Sequence, residues 1–163
     1  MSDDPVKDVL RLMPYGFYCI TSTDGEDVNA MVANWVGQVS FEPRLVSLAL
    51  QKTNYTHGLV EKSRVYAINL LLKEDSDTIK LLTKGRAKNP AKMENVTYTP
   101  GPATGCPILT DAAAYLECKV VHILDIHGDH DLVIGEPVSA AIIKEGEPKD
   151  MLTLPELGWS YAG

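Results

Sequence analysis

Residues Val28 to Ser63 read VNAMVANWVGQVSFEPRLVSLALQKTNYTHGLVEKS, and they spell strand, loop, strand, loop, helix. Leu45 to Leu50 is an apolar run of strand length. Directly behind it, Lys52, Thr53, Asn54, Tyr55 and Thr56 crowd a cation, hydroxyls and an amide onto the start of a helix. Helix starts carry spare N–H donors and the positive end of the macrodipole, so such a cluster suits phosphate. Thr and Asn are also the usual N-cap residues, so an ordinary capped helix accounts for the same residues.

Working outward, the N-terminal segment has a helix start: Asp4 as cap, Pro5 in the first turn, then Val6, Val9, Leu10 and Met13 at helical spacing. Pro14 blocks continuation. Tyr15 to Thr23 is aromatic and β-branched and predicts a strand. Asp24-Gly25 turns the chain, and Val28 to Ala33 returns as the second arm of a hairpin. Asn34 to Val39 has no clean period, and a buried strand with Trp35 in the core is one reading of it. Phe41-Glu42-Pro43 is a bend. Tyr55 to Lys62 predicts a short helix with Leu59 and Val60 inward, and Val65 to Leu72 a buried strand.

Asp75 or Ser76 is expected to cap a helix carrying Ile79, Leu81 and Leu82 that ends near Gly85. Lys84, Arg86, Lys88 and Lys92 then form a charge run. It reads as a solvated loop, or as one from which Arg86 or Lys92 joins a phosphate site or meets a dinucleotide. Tyr98 to Pro107 is rich in Pro and Gly and reads as an irregular connection, either a flap or a linker. Ala113 to His127 and Asp131 to Ile143 are two long β segments joined near Gly128-Asp129. Glu117 and Lys119 suggest a partly exposed face, and Pro137 a bulge or an edge.

Bulk properties narrow the function. A length of 163 residues with 45% hydrophobic content suits one domain with a real core. A formal charge of −7 argues against a nucleic-acid partner. No apolar span is long enough for a membrane helix, and the acidic start MSDDPVKDVL lacks a signal-peptide layout. Cys19, Cys106 and Cys118 are scattered without a CxxC pair, which fits a reduced cytoplasmic setting. His127, Asp129 and His130 have ligand-like spacing, but no further cluster completes a coordination sphere, so no metal is expected. No GxSxG or GxGxxG occurs, so neither a nucleophilic elbow nor a Rossmann site is expected.

Two motifs carry a resemblance. Ala33-Asn34, Gln38, Ser40, Pro43 and Lys52-x-Asn54-x-Thr56-His57 form the first, and Gly128-Asp129-His130-Asp131-Leu132-Val133-Ile134-Gly135-Glu136 the second. In their order and spacing the chain resembles the flavin reductase-like FMN-binding split-barrel family. It looks closest to the branch of flavoredoxin, ferric reductase and the flavin domain of high-molecular-weight rubredoxin. The resemblance implies a mostly β, Greek-key-like split β-barrel with short flanking helices, one flavin-binding domain over residues 1–163, and a homodimer. It implies FMN held by Ala33, Asn34, Trp35, Val36, Gln38, Ser40, Gln51, Lys52, Thr53, Asn54, Thr56, His57 and Arg86. Within that set Lys52, Asn54, Thr56 and Arg86 face the phosphate, while Ala33 to Val36 line the ring. It places His130 where a nicotinamide approaches, as the residue serving catalysis. It also implies that a tail such as Trp159 to Tyr161 covers a site or crosses to a partner, surface packing being the plain alternative.

The function so implied is an oxidoreductase passing reducing equivalents from NADH or NADPH through bound FMN to free flavin, a ferric chelate or a small redox protein. An FMN-binding electron carrier without its own reductase activity is the alternative, and a flavin-free binding module the third reading. No membrane and no nucleic acid enters any of them.

Overall fold

The fold follows from one arrangement of edges. In the computed structural model, which describes residues 3–161, a seven-stranded antiparallel sheet has the order β2-β1-β5-β8-β9-β4-β3. The strands are β1 (Tyr18–Thr23), β2 (Val28–Ala33), β3 (Val36–Phe41), β4 (Arg44–Gln51), β5 (Val65–Leu70), β8 (Ala114–Asp125) and β9 (His130–Ile142). β2 and β3 are opposite edges of this sheet, yet only Asn34 and Trp35 separate them in sequence. A link that short spans at most about 10 Å. The sheet must therefore curl until its edges approach, giving a mostly β barrel split between β2 and β3. The Ala49 N–H donates to the Trp35 carbonyl at 3.0 Å and holds the link against β4.

The curl makes two cores. Ile20, Leu48, Leu50, Tyr66, Ile68 and Val133 fill the inside, with Val60 of helix α2 (Tyr55–Ser63) packed among them. Outside, Cys19, Leu71 and Leu109 pack with Ile79 and Leu82 of helix α3 (Asp77–Leu82) and with Leu152 and Leu154. β1 thus buries both faces, which explains why YCITST does not alternate. Gly135 has no freedom to carry a side chain, because the Tyr66 phenol lies where its Cβ would stand.

Most expected elements are present, with corrections at their ends. Helix α1 spans Pro5–Leu10, capped by the Asp4 carboxylate at 3.1 Å from the Lys7 amide. The first strand begins at Tyr18 rather than Tyr15, and Gly16 instead bridges Thr153. The strand from Val65 stops at Leu70, since Leu72 pairs with Met151 outside the sheet. Helix α3 ends at Leu82, short of Gly85; Ser76 makes no side-chain cap and Leu81 faces solvent. Tyr98 to Pro107 is neither flap nor simple linker. It contains β6 (Tyr98–Pro100), which pairs with β7 (Pro107–Leu109) as a hairpin over β5.

Glu117 corrects the reading of an exposed face, being fully buried. Its carboxylate accepts from the Thr104 N–H at 2.8 Å, the Thr104 hydroxyl at 2.7 Å and the Ala103 N–H at 3.2 Å, pinning the turn between β6 and β7. Burial works to raise its pKa, and these hydrogen bonds more than offset it, leaving the group below the ordinary carboxylate value. Pro137 does mark a bulge: the register slips between Glu117 opposite Ser139 and Cys118 opposite Pro137.

Candidate functional site

Beside the link that joins β2 to β3 lies a cleft of about 560 Å³. Met31, Val32 and Ala33 of β2 form one wall, and Ala49 and Gln51 of β4 face them across Asn34 and Trp35. Asn54, at the cap of α2, and His130, at the start of β9, complete the inner end. Phe17, Thr83, Leu154 and the chain end from Trp159 to Tyr161 form the outer side. That volume lies within the usual range for a small-molecule site.

Each side chain has a local reason for its place. Asn54 is in extended conformation and its carboxamide oxygen accepts from the Thr56 N–H at 2.9 Å, as in an ordinary N-cap. Thr56 is buried and its hydroxyl accepts from the Asn29 amide at 2.9 Å. The Asn34 amide nitrogen is buried at the cleft wall with no hydrogen-bond partner. Trp35 meets the His130 ring edge-on, with centroids 5.0 Å apart, and meets Tyr161 in the same manner at 4.9 Å. His130 Nδ1 is 2.7 Å from the Asp129 carboxylate, which orients the ring.

The structure divides the expected flavin residues. Ala33, Asn34, Trp35, Gln51, Asn54 and His130 converge on the cleft. Val36 and Gln38 instead line a second cavity, of about 590 Å³, at a mouth of the barrel. Ser40 lies further along β3, where its carbonyl accepts from the Gln38 side chain. Thr53 is exposed in the turn before α2.

Lys52 points to the β8–β9 hairpin, with Nζ 2.8 Å from Asp125 and 3.8 Å from Asp131. Its hydrogen bond to Asp125 raises its pKa above the ordinary lysine value. His57 Nε2 is 2.7 Å from the other oxygen of Asp131. The Lys52 N–H also donates to the Asp129 carbonyl at 3.0 Å. Together these contacts clamp the turn before α2 to the hairpin that carries His130.

Arg86 stacks on the Tyr55 ring at 4.6 Å and donates to the Val28 carbonyl at 2.8 Å and to Asp27. It is therefore an anchored cation beside the α2 start. The expectation of a solvated charge run holds for Lys84 and Lys88, which are exposed, but not for Lys92. Lys92 is only 2% exposed, and burial pushes its ammonium down to about 8, helped by repulsion from Arg86.

Between pH 8 and the ordinary 10.5 the unfolded chain holds a proton that folded Lys92 has lost. The lysine therefore penalises the folded state fully below pH 8, and the penalty fades as pH rises through that window. Lys92→Met is expected to stabilise the flavin-free protein at pH 7 by about 1–3 kcal/mol. Urea titrations should show that advantage shrinking toward pH 10; a constant difference would mean the amine is not desolvated.

Sequence reasoning did not find Phe17, Thr83 or Leu154, which reach the cleft only through folding. Met31 and Val32 adjoin Ala33 and were within reach of the first motif. Among the described residues no group of three His, Cys, Asp or Glu side chains is placed to hold a metal.

Residues 10–156 match the flavin reductase like domain family, and the chain belongs to that family. The chain is 33% identical over 135 residues to the ferric-chelate reductase (NAD(P)H) of Archaeoglobus fulgidus, covering 82% of this chain and 79% of that one. It is 30% identical over 145 residues to the high molecular weight rubredoxin of Moorella thermoacetica, covering 85% of this chain and 61% of that one. Among solved structures, the NADH:FAD oxidoreductase of Streptomyces globisporus superposes with a TM-score of 0.75 at 25% identity, over 85% of this chain and 82% of that one.

Proposed function

We propose that the cleft seats FMN and that the protein is an NAD(P)H-dependent flavin oxidoreductase, with residues 1–163 acting as one flavin-binding unit. The observation that carries this reading is the unpartnered Asn34 amide at the cleft wall. A buried donor left unpaired costs about 1–3 kcal/mol, and a ring carbonyl would satisfy it. The residues present fit the group: a flat apolar wall of Met31, Ala33 and Trp35, one orphaned amide, and a helix start with Asn54 beside anchored Arg86.

Bound FMN would supply the acceptance of a hydride and its release as electrons. The chain's own part is binding and orientation. Asn34 bonds the polar edge of the ring, Trp35 limits its sideways movement, and the α2 start with Thr53, Asn54 and Arg86 receives the phosphate. Lys52, Thr56 and His57 serve that end by fixing the turn and the cap. His130, oriented by Asp129, stands at the side where a nicotinamide would settle. The aromatic rings around the cleft exclude water from it.

The names of two relatives support a nicotinamide donor: the Archaeoglobus protein is named for NAD(P)H and the Streptomyces globisporus protein for NADH. Val39 and Phe41, the latter 88% exposed, lie on the same edge strand as Val36 and Gln38 of the second cavity, and a second copy covering that edge gives the homodimer. The three buried, unpaired cysteines suit a cytoplasmic setting.

The experiment is the visible spectrum of the FMN-loaded protein before and after anaerobic NADH or NADPH. Bleaching of the flavin bands is expected. Bands that persist would make the protein an electron carrier, and failure to take up FMN would end the reading.

A further inference from the structure

The ring contacts that close the cleft bear on which molecule receives the electrons. Phe17, Trp35, His130, Trp159 and Tyr161 all face it, and among the described residues no Lys, Arg, Asp or Glu lines it. Its rings meet as T-shapes: Phe17 with Trp159 at 72°, Trp35 with His130 at 62°, Trp35 with Tyr161 at 68°. A T-shaped pair uses the edge of one ring against the face of the other, so other faces remain open for stacking. Trp159 and Tyr161 are 42% and 45% exposed, placing those surfaces at the entrance. The chain reaches them through Gly158, whose φ of +67° turns it back toward the cleft.

We propose that the electron acceptor is a neutral conjugated dicarbonyl ring, of the quinone class, received on the open ring faces of Trp159 and Tyr161 beside Trp35, and that these two terminal aromatics determine specificity. This deepens the reading above and rests on it. A neutral flat ring gains stacking and apolar burial on entering. An anionic ferric chelate loses hydration at the aromatic entrance, where no Lys or Arg is among the described lining residues and Arg86 lies apart at the phosphate end, and it approaches a chain of net charge −7. A protein acceptor presents a convex surface to a concave site.

The net reaction balances without a further reagent. The C4–H bond of the dihydronicotinamide breaks and NAD(P)H loses two electrons and a proton. The quinone gains two electrons and two protons as two O–H bonds form, the second proton coming from solvent. NAD(P)⁺ and hydroquinone result. Cys19, Cys106 and Cys118 are buried, so covalent capture of the quinone by a thiol does not compete.

The test compares menadione with ferric citrate as acceptors for the FMN-loaded protein, and separately titrates menadione without any donor while following tryptophan emission. Menadione is expected to show the higher kcat/KM and to quench emission saturably. In Tyr161→Ala and Trp159→Ala the menadione-to-citrate ratio should fall about 5-fold or more, through KM, with the half-saturation of quenching rising in step. Tyr161→Phe should behave as the parent, and circular dichroism verifies folding of each variant. Equal or better use of ferric citrate, or variants that leave both ratio and quenching unchanged, would overturn the proposal. The two failures separate cleanly: flavin that bleaches with NAD(P)H while menadione does not saturate refutes only the acceptor. Saturable quenching without bleaching refutes the reductase.

Discussion

Trp35→Ala is expected to weaken FMN binding by about 2–4 kcal/mol, or roughly 30- to 1,000-fold in Kd. Trp35 sits in the link that joins the two sheet edges, and its ring touches both His130 of β9 and Tyr161 of the C-terminal wall. Removing it deletes the apolar area offered to a bound ring, and it releases His130 and Tyr161 from the edge-to-face contacts that hold them in place at the cleft. The backbone of the link need not move, because the Trp35 carbonyl is held by the Ala49 amide whatever the side chain. Flavin fluorescence titration measures the change. Trp35→Phe should recover most of the affinity, and an alanine variant that binds FMN normally would place the ring elsewhere.

Asp131→Ala carries the other large effect, and it acts on stability first. Asp131 is buried, with one carboxylate oxygen 2.7 Å from His57 and the other facing Lys52 at 3.8 Å. Truncation leaves His57, itself largely covered, without its acceptor, and opens a small void beneath the hairpin. A loss of about 2–4 kcal/mol is expected from the broken pair and the void. Lys52 keeps Asp125 and loses less. Denaturant titration gives the stability change. Because Asp131 adjoins His130, reduction by nicotinamide should slow in the surviving folded protein more than FMN affinity falls. Asp131→Asn preserves shape and one hydrogen bond and should lose about half as much. If Asn and Ala were equally mild, the clamp would contribute little.

These effects show how far the chain's letters reach. The Asn54 cap, the Asp24-Gly25 turn, the bulge at Pro137 and the pairing of β8 with β9 could be read directly, because each depends on contacts a few residues apart or on one hairpin. Membership of the flavin reductase-like family was also legible, since its two motifs keep their order and spacing. The role of Lys52 was not legible. Its type and position suit phosphate, and nothing in its neighbourhood announces carboxylates 73 and 79 residues later. Glu117 and Lys92 misled for a similar reason: charged residues are usually solvated, and only a folded hairpin or a packed helix pair shows where one is enclosed.

The sequence by itself determined most of the long strands, their turns, the capped helix and the family, but not β3 or the β6–β7 hairpin. It did so because periodicity and capping are local, each fixed by a few neighbouring residues. Only the tertiary structure decided that β2 and β3, adjacent in sequence, become opposite edges of one sheet, with a cleft beside the link that joins them. It alone brought Tyr161 back to Trp35 and tied Lys52 to Asp125 and Asp131. Those contacts depend on how far the sheet curls, and the curl is set by packing summed over all seven strands rather than by any one segment.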